Sequence, residues 1–163
     1  MKRFKNVFFI LILISLITSL ASCGAMVKGT ANKKLTVEKG AIPPEFGSEK
    51  TTMLFITHHR SYNKYLKKNV ADIYKGDFEI ISEKEFKSDV KYEDKQKYRY
   101  VFNFESKSYS YTKSDLSSGS GEVKKFYVLD RKNEKKYFSP MTSSFWSKLQ
   151  KVYLKKLTEK LKV

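Results

Sequence analysis

Four consecutive apolar residues between threonines, Met53-Leu54-Phe55-Ile56, constrain this chain more than any other stretch. A short run with no polar position suits a strand buried on both faces. Tyr62, Tyr65, Leu66, Val70 and Ile73 then recur at helical spacing, with Lys64, Lys67, Lys68 and Asp72 on the other side. Ser61 stands where an N-cap belongs, and Gly76 where a helix stops. Phe78 to Ile81 is a second short apolar run. Strand, helix and strand within about 30 residues make a βαβ unit, whose two strands pair in parallel.

Downstream the period changes to two. Ser82 and Glu85 have the spacing of a capping box, which predicts a short helix over 83–90, and a loop follows at Lys91–Gln96. Tyr98, Tyr100, Phe102 and Phe104 then alternate with polar residues, so they are expected to share one face of a strand. Lys107 to Lys113 alternates again, 114–121 is rich in Ser and Gly and reads as a mobile loop, and Lys124 to Asp130 returns as a strand. Arg131–Glu134 is a hairpin turn into Lys135–Phe138. From Thr142 to Lys162, Phe145, Trp146, Leu149, Val152, Tyr153, Leu157 and Leu161 form one stripe of an amphipathic helix. The expected class is α/β, with α+β as its neighbour: a mixed sheet opened by the βαβ unit, continued by antiparallel strands and closed by a C-terminal helix.

The N-terminus carries a different kind of information. Lys2, Arg3 and Lys5 precede an apolar stretch from Val7 to Leu20, and Ala21-Ser22 lead into Cys23. That order is the order of a secretory signal, and the stretch is shorter than the roughly 20 residues that span a bilayer. Leu20-Ala21-Ser22-Cys23, followed by Gly24, resembles the lipobox of bacterial lipoproteins. The resemblance covers residues 1–24 only. It implies that residues 1–22 are a signal peptide, that Cys23 carries a diacylglyceryl group, and that the chain is held on a membrane by lipid. Gly24 after the cysteine, with no acidic cluster behind it, leans toward the periplasmic face of the outer membrane. Removal of 22 residues, with three basic and no acidic side chains among them, leaves 141 residues and a charge of +13. Residues 23–50, with four glycines, two prolines and few large apolar groups, are expected to be a flexible tether. Its reach would be about 90 Å when extended. Ile42-Pro43-Pro44-Glu45-Phe46 is the part of it expected to lie back on the domain, which is expected to occupy 51–163 as a single unit.

Several function classes find no support. One cysteine and two histidines exclude a disulfide framework and a Cys/His zinc site. No nucleophile elbow, phosphate loop or metalloprotease helix motif occurs, and the sequence implies no cofactor and names no catalytic residue. Glu79 is the one acid in an apolar setting, and it is expected to point outward from an edge strand. His58-His59-Arg60 falls where the first strand ends and its helix begins, a corner where anions gather in open α/β sheets. A strand end with one residue packed and the next solvated gives the same pattern.

The excess of 33 Lys+Arg over 17 Asp+Glu points to anionic envelope components and away from nucleic acid, which an exported protein does not meet. Lys151, Lys155 and Lys156 are the candidate basic face on the last helix, although lysines in every segment are also what a solubilising charge looks like. Tyr98, Tyr100, Tyr109 and Tyr111 could make a stacking platform for sugars, or pack under a helix. The leading expectation is a monomeric, lipid-anchored envelope lipoprotein that binds a protein partner or an anionic envelope component without catalysis. The alternative is a small envelope enzyme acting on a cell-wall or lipid substrate at the His58–Arg60 corner.

Overall fold

The computed structural model describes residues 25–161. A helix over 25–34 (α1) is followed by β1 (Met53–Thr57), α2 (Arg60–Ile73), β2 (Phe78–Ser82), α3 (Glu83–Ser88) and a 3-10 turn at Val90–Glu93. The chain then runs through β3 (Tyr100–Thr112), β4 (Ser118–Asp130), β5 (Lys135–Phe138) and α4 (Trp146–Lys160). The strands form one sheet in the order β2-β1-β3-β4-β5. β1 pairs in parallel with both β2 and β3, whereas β3, β4 and β5 are antiparallel. The class is α/β with a mixed sheet, a βαβ unit in front and a helix at the C-terminal end.

Two apolar layers explain the patterns. Met53 and Phe55 face one side of β1 and join α1, α2 and α4 in the larger cluster with Tyr100, Phe102, Phe126 and Val128. Leu54 and Ile56 face the other side, where Ile81, Tyr92, Tyr98 and Val101 make a smaller cluster near α3 and the 3-10 turn. Lying between two strands and two layers, β1 has no solvent face, so a continuous apolar run is what its position requires. Ser82 and Glu85 form the expected capping box, with Glu85 N–H to Ser82 Oγ at 3.1 Å and Ser82 N–H to Glu85 Oε2 at 2.6 Å. The cap of α2 is His59, whose ring Nδ1 accepts from Tyr62 N–H at 3.4 Å, and not Ser61.

Four expectations are corrected. Ala31, Leu35, Ala41, Ile42 and Phe46 are buried in the larger cluster, so over 25–50 the chain is part of the fold and not a tether. Few large apolar residues sufficed because the ones present are nearly all used. The segment passes so close to α4 that a Cβ on Gly47, at φ +81°, would lie 2.2 Å from the Lys160 carbonyl oxygen. Second, the strands expected at 98–104 and 107–113 are one strand, and Tyr98 precedes it. Tyr98 therefore turns to the opposite layer from Tyr100. Third, Ser118–Gly121 is not loop but strand: Tyr111 pairs with Gly119 and Tyr109 with Gly121, each ring lying over the glycine it faces. Aromatic cover of a glycine restores packing that the missing side chain forfeits. Beyond Phe102 and Tyr127 this ribbon has no further strand partner, so it stands out from the sheet as an arm. Fourth, Glu79 does not point into solvent. It accepts from Tyr98 Oη at 2.9 Å, Tyr92 Oη at 3.0 Å and Lys91 Nζ at 2.8 Å. Burial opposes its ionisation, but those three donors outweigh it and hold the carboxyl below the usual glutamate range.

Arg99 ties the N-terminal segment to the sheet. It is only 1% exposed, its Nε and Nη2 donate to Asp130 at 3.0 and 2.9 Å, and it also pairs with Glu45 and, at 3.5 Å, Glu49. Desolvation would raise the Asp130 carboxyl, yet the hydrogen bonds and charge of Arg99, with Asn133 and the Lys132 amide, outweigh it and hold it below the usual aspartate range.

Two outcomes follow for stability. A chain starting at Ala25 should melt in one cooperative transition, and one starting at Lys50 should not. The shorter chain lacks Leu35, Ile42 and Phe46, each worth about 2 kcal/mol of burial, in a domain of about 5–15 kcal/mol total. Circular dichroism melts of the two chains check this. Arg99→Met should cost about 3–5 kcal/mol, because it leaves Asp130 buried and unpaired. The parent should lose stability as pH falls through the lowered Asp130 pKa, since that carboxylate contributes only while ionised. In the variant the same acidification should no longer destabilise through Asp130, as urea melts across that range would show.

Candidate functional site

Cys23 lies outside the described residues. The His58–Arg60 corner is described: all three residues are exposed, and both rings are engaged by neighbouring groups. His58 Nε2 is hydrogen-bonded to Asn103 Oδ1 at 2.6 Å, and its ring lies 4.5 Å from that of Phe104. His58 N–H donates to Asn63 Oδ1 at 2.7 Å, and the Asn63 amide returns a longer bond to the His58 carbonyl at 3.4 Å. His59 caps α2 and shares Nδ1 with Ser61 Oγ at 2.9 Å. Arg60 is exposed on the first turn. These bonds put both rings to local structural use, so among the described residues the corner gathers no convergent set of groups around Arg60.

The charge, in contrast, is arranged. α1, α2 and α4 carry twelve Lys and Arg against two carboxylates, Asp72 and Glu159. The other described residues carry seventeen against fifteen and are nearly balanced. All three helices lie on the same side of the sheet. The reason is local: in each helix the stripe facing the sheet is apolar, so the lysines between those positions have one side left to occupy. Elsewhere lysines meet acids, as in Lys91–Glu79, Lys87–Glu83, Lys95–Glu134 and Lys136–Glu105. Among the described residues no ion pair joins a lysine of α1 or α2.

The three lysines singled out on α4 divide accordingly. Lys151 has no carboxylate within 4.0 Å among the described residues, whereas Lys155 and Lys156 reach Glu159 at 4.0 and 2.9 Å. Lys151 lines a groove of about 370 Å³ where α2 meets the start of α4, together with Tyr65, Phe145, Trp146, Ser147 and Lys148. Tyr65 stands edge-on to Trp146 at 5.4 Å, and Lys148 Nζ lies 5.2 Å from the centre of the Phe145 ring. Underneath, Asn69 Nδ2 donates to Gln150 Oε1 at 2.7 Å, while Asn69 Oδ1, Gln150 Nε2 and Tyr62 Oη are buried without partners. Burial pushes the Tyr62 phenol well above its ordinary range.

The four tyrosines proposed as a platform do not gather. Tyr98 and Tyr100 are buried in opposite layers, and only Tyr109 and Tyr111 are half-exposed on the arm. A second cavity of about 370 Å³ lies at the opposite end of the sheet, between Gly47–Thr51 and Lys75–Asp77, and Lys50 and Asp77 pair across it at 3.7 Å. Among the described residues no group of three His, Cys, Asp or Glu side chains could hold a metal ion. No described helix is long and apolar enough to cross a membrane. No protein-family profile, no curated protein and no solved structure matches this chain.

The sequence reading passed over the charge of α1 and α2 because it took 25–50 for a tether and weighed lysines segment by segment. The signal was present as a count, helix against non-helix. In the chain starting at Ala25, Lys64, Lys148 and Lys151→Gln together should weaken binding to anionic vesicles roughly a hundredfold, at about 1 kcal/mol per lysine. Lys84, Lys87 and Lys95→Gln should change it less than twofold. Equal effects in a vesicle sedimentation assay would mean that the charge acts diffusely.

Proposed function

We propose that the protein is a lipid-anchored envelope lipoprotein whose single domain is a non-catalytic binding module for an anionic component of the envelope. The lipobox-like Leu20-Ala21-Ser22-Cys23 carries the reading. The basic helical layer supports the anionic ligand class, because an excess of twelve cations over two carboxylates on one side draws that side toward anionic surfaces. Chain geometry adds a constraint. Cys23 is two residues from Ala25, the first described residue and already part of the folded domain, a reach of about 7 Å, so a lipid on that residue keeps the domain at the bilayer surface. The periplasmic face of the outer membrane is the proposed location, from Gly24 after the cysteine.

Expression of the full chain in a bacterium with lipoprotein processing tests the reading. Wild type should incorporate labelled fatty acid and appear as a 141-residue product, and Cys23→Ser should remain as the unlabelled precursor. A Cys23→Ser chain that is still cut and still labelled would end the proposal.

A further inference from the structure

We infer that the groove between α2 and α4 is a bilayer contact that seats the phosphate headgroup of an anionic lipid. The inference rests on the lipid-anchored reading above, which is what brings the groove to a membrane. Three observations single it out. Tyr65 and Phe145 remain 45% and 46% exposed, and Trp146 is half-buried between Tyr65 and Tyr62, so rings held in place by packing still present edges outward. Trp and Tyr rings in this setting match the level of lipid headgroups, where one end is apolar and the other wet.

The second observation is charge. Lys148 and Lys151 line the groove as exposed residues with no carboxylate within 4.0 Å among the described residues. α4 also begins without a side-chain cap, and Trp146 and Ser147, whose amides have no partner within the helix, line the groove. Lysines and helix end therefore bear on the same anion.

The third is position. The groove opens in the basic helical layer, and α1, whose first described residue is two positions after Cys23, belongs to that layer. The described residues outside α1, α2 and α4 are nearly balanced in charge and would gain little at an anionic surface. A bilayer accounts for the occupant better than a soluble sugar acid does. The groove lining holds no carboxylate and no amide side chain, the bidentate groups that read a sugar's hydroxyl pattern.

Trp146 is the only tryptophan, so its fluorescence reports this groove directly. The full mature lipoprotein is reconstituted into vesicles of phosphatidylcholine alone or with phosphatidylglycerol. The expected result is a blue shift of emission in the anionic vesicles, with stronger quenching by lipids brominated near the headgroup than near the chain end. Lys148→Gln with Lys151→Gln should abolish the difference between the two vesicle types, while flotation with the vesicles is unchanged. Protein that floats but shows unquenched, unshifted Trp146 overturns the groove alone. A shift produced equally by soluble glycerol phosphate without vesicles overturns the membrane site in favour of a soluble ligand. Protein that does not float overturns the lipoprotein reading, and this inference with it.

Discussion

Arg99 has almost no contact with water, and most of the fold has to be arranged so that its charge is met. Asp130 at the end of β4 supplies two of its hydrogen bonds, and Glu45 and Glu49 complete the cluster from the segment before β1. A buried guanidinium without those partners would cost several kcal/mol, so the N-terminal segment is not free to leave once the sheet has formed. The same closure carries Ala41 and Ile42 against α4, where Tyr153 Oη donates to the Ala41 carbonyl. With the segment in place the helical side of the sheet is sealed by three helices and the turns that follow α1.

That seal decides where the positive charge goes. Each of α1, α2 and α4 spends its apolar stripe on the sheet, and lysine fills most of what is left. On the other side α3 and the 3-10 turn are short and carry as many acids as lysines, with Glu83 paired to Lys87 within α3 and Lys91 paired to Glu79 of β2. A chain whose lysines look evenly spread along its length thus becomes a domain with one basic side. In the lipid-anchored form proposed above, such a side would stand close to the bilayer. A long tether would have averaged that orientation away.

The βαβ unit, the capping box at Ser82 and the amphipathic C-terminal helix were legible because each depends on residues within one element, whose periodicity records which side is buried. Tyr98 was misplaced because alternation does not say where a strand starts, and two residues outside β3 the chain has already turned. Ser118–Gly121 was taken for a loop because glycine and serine are poor strand formers alone. Their strand is sustained by Tyr111 and Tyr109, which lie opposite them in register across the hairpin. The His58–Arg60 corner stays open between an anion site and an ordinary strand end in the sequence because Asn103 and Phe104, which engage His58, arrive from β3.

By itself the sequence determined the class of fold, the buried central strand, the amphipathic character of α2 and α4 and the resemblance of residues 20–23 to a lipobox, since all of these are written in neighbouring residues. Only the tertiary structure decided that 25–50 belongs to the core, that Arg99 and Asp130 are partners, and that Tyr65, Trp146, Lys148 and Lys151 share one groove. Burial and charge pairing between distant segments depend on how the sheet and helices close over each other. No local spacing encodes that closure.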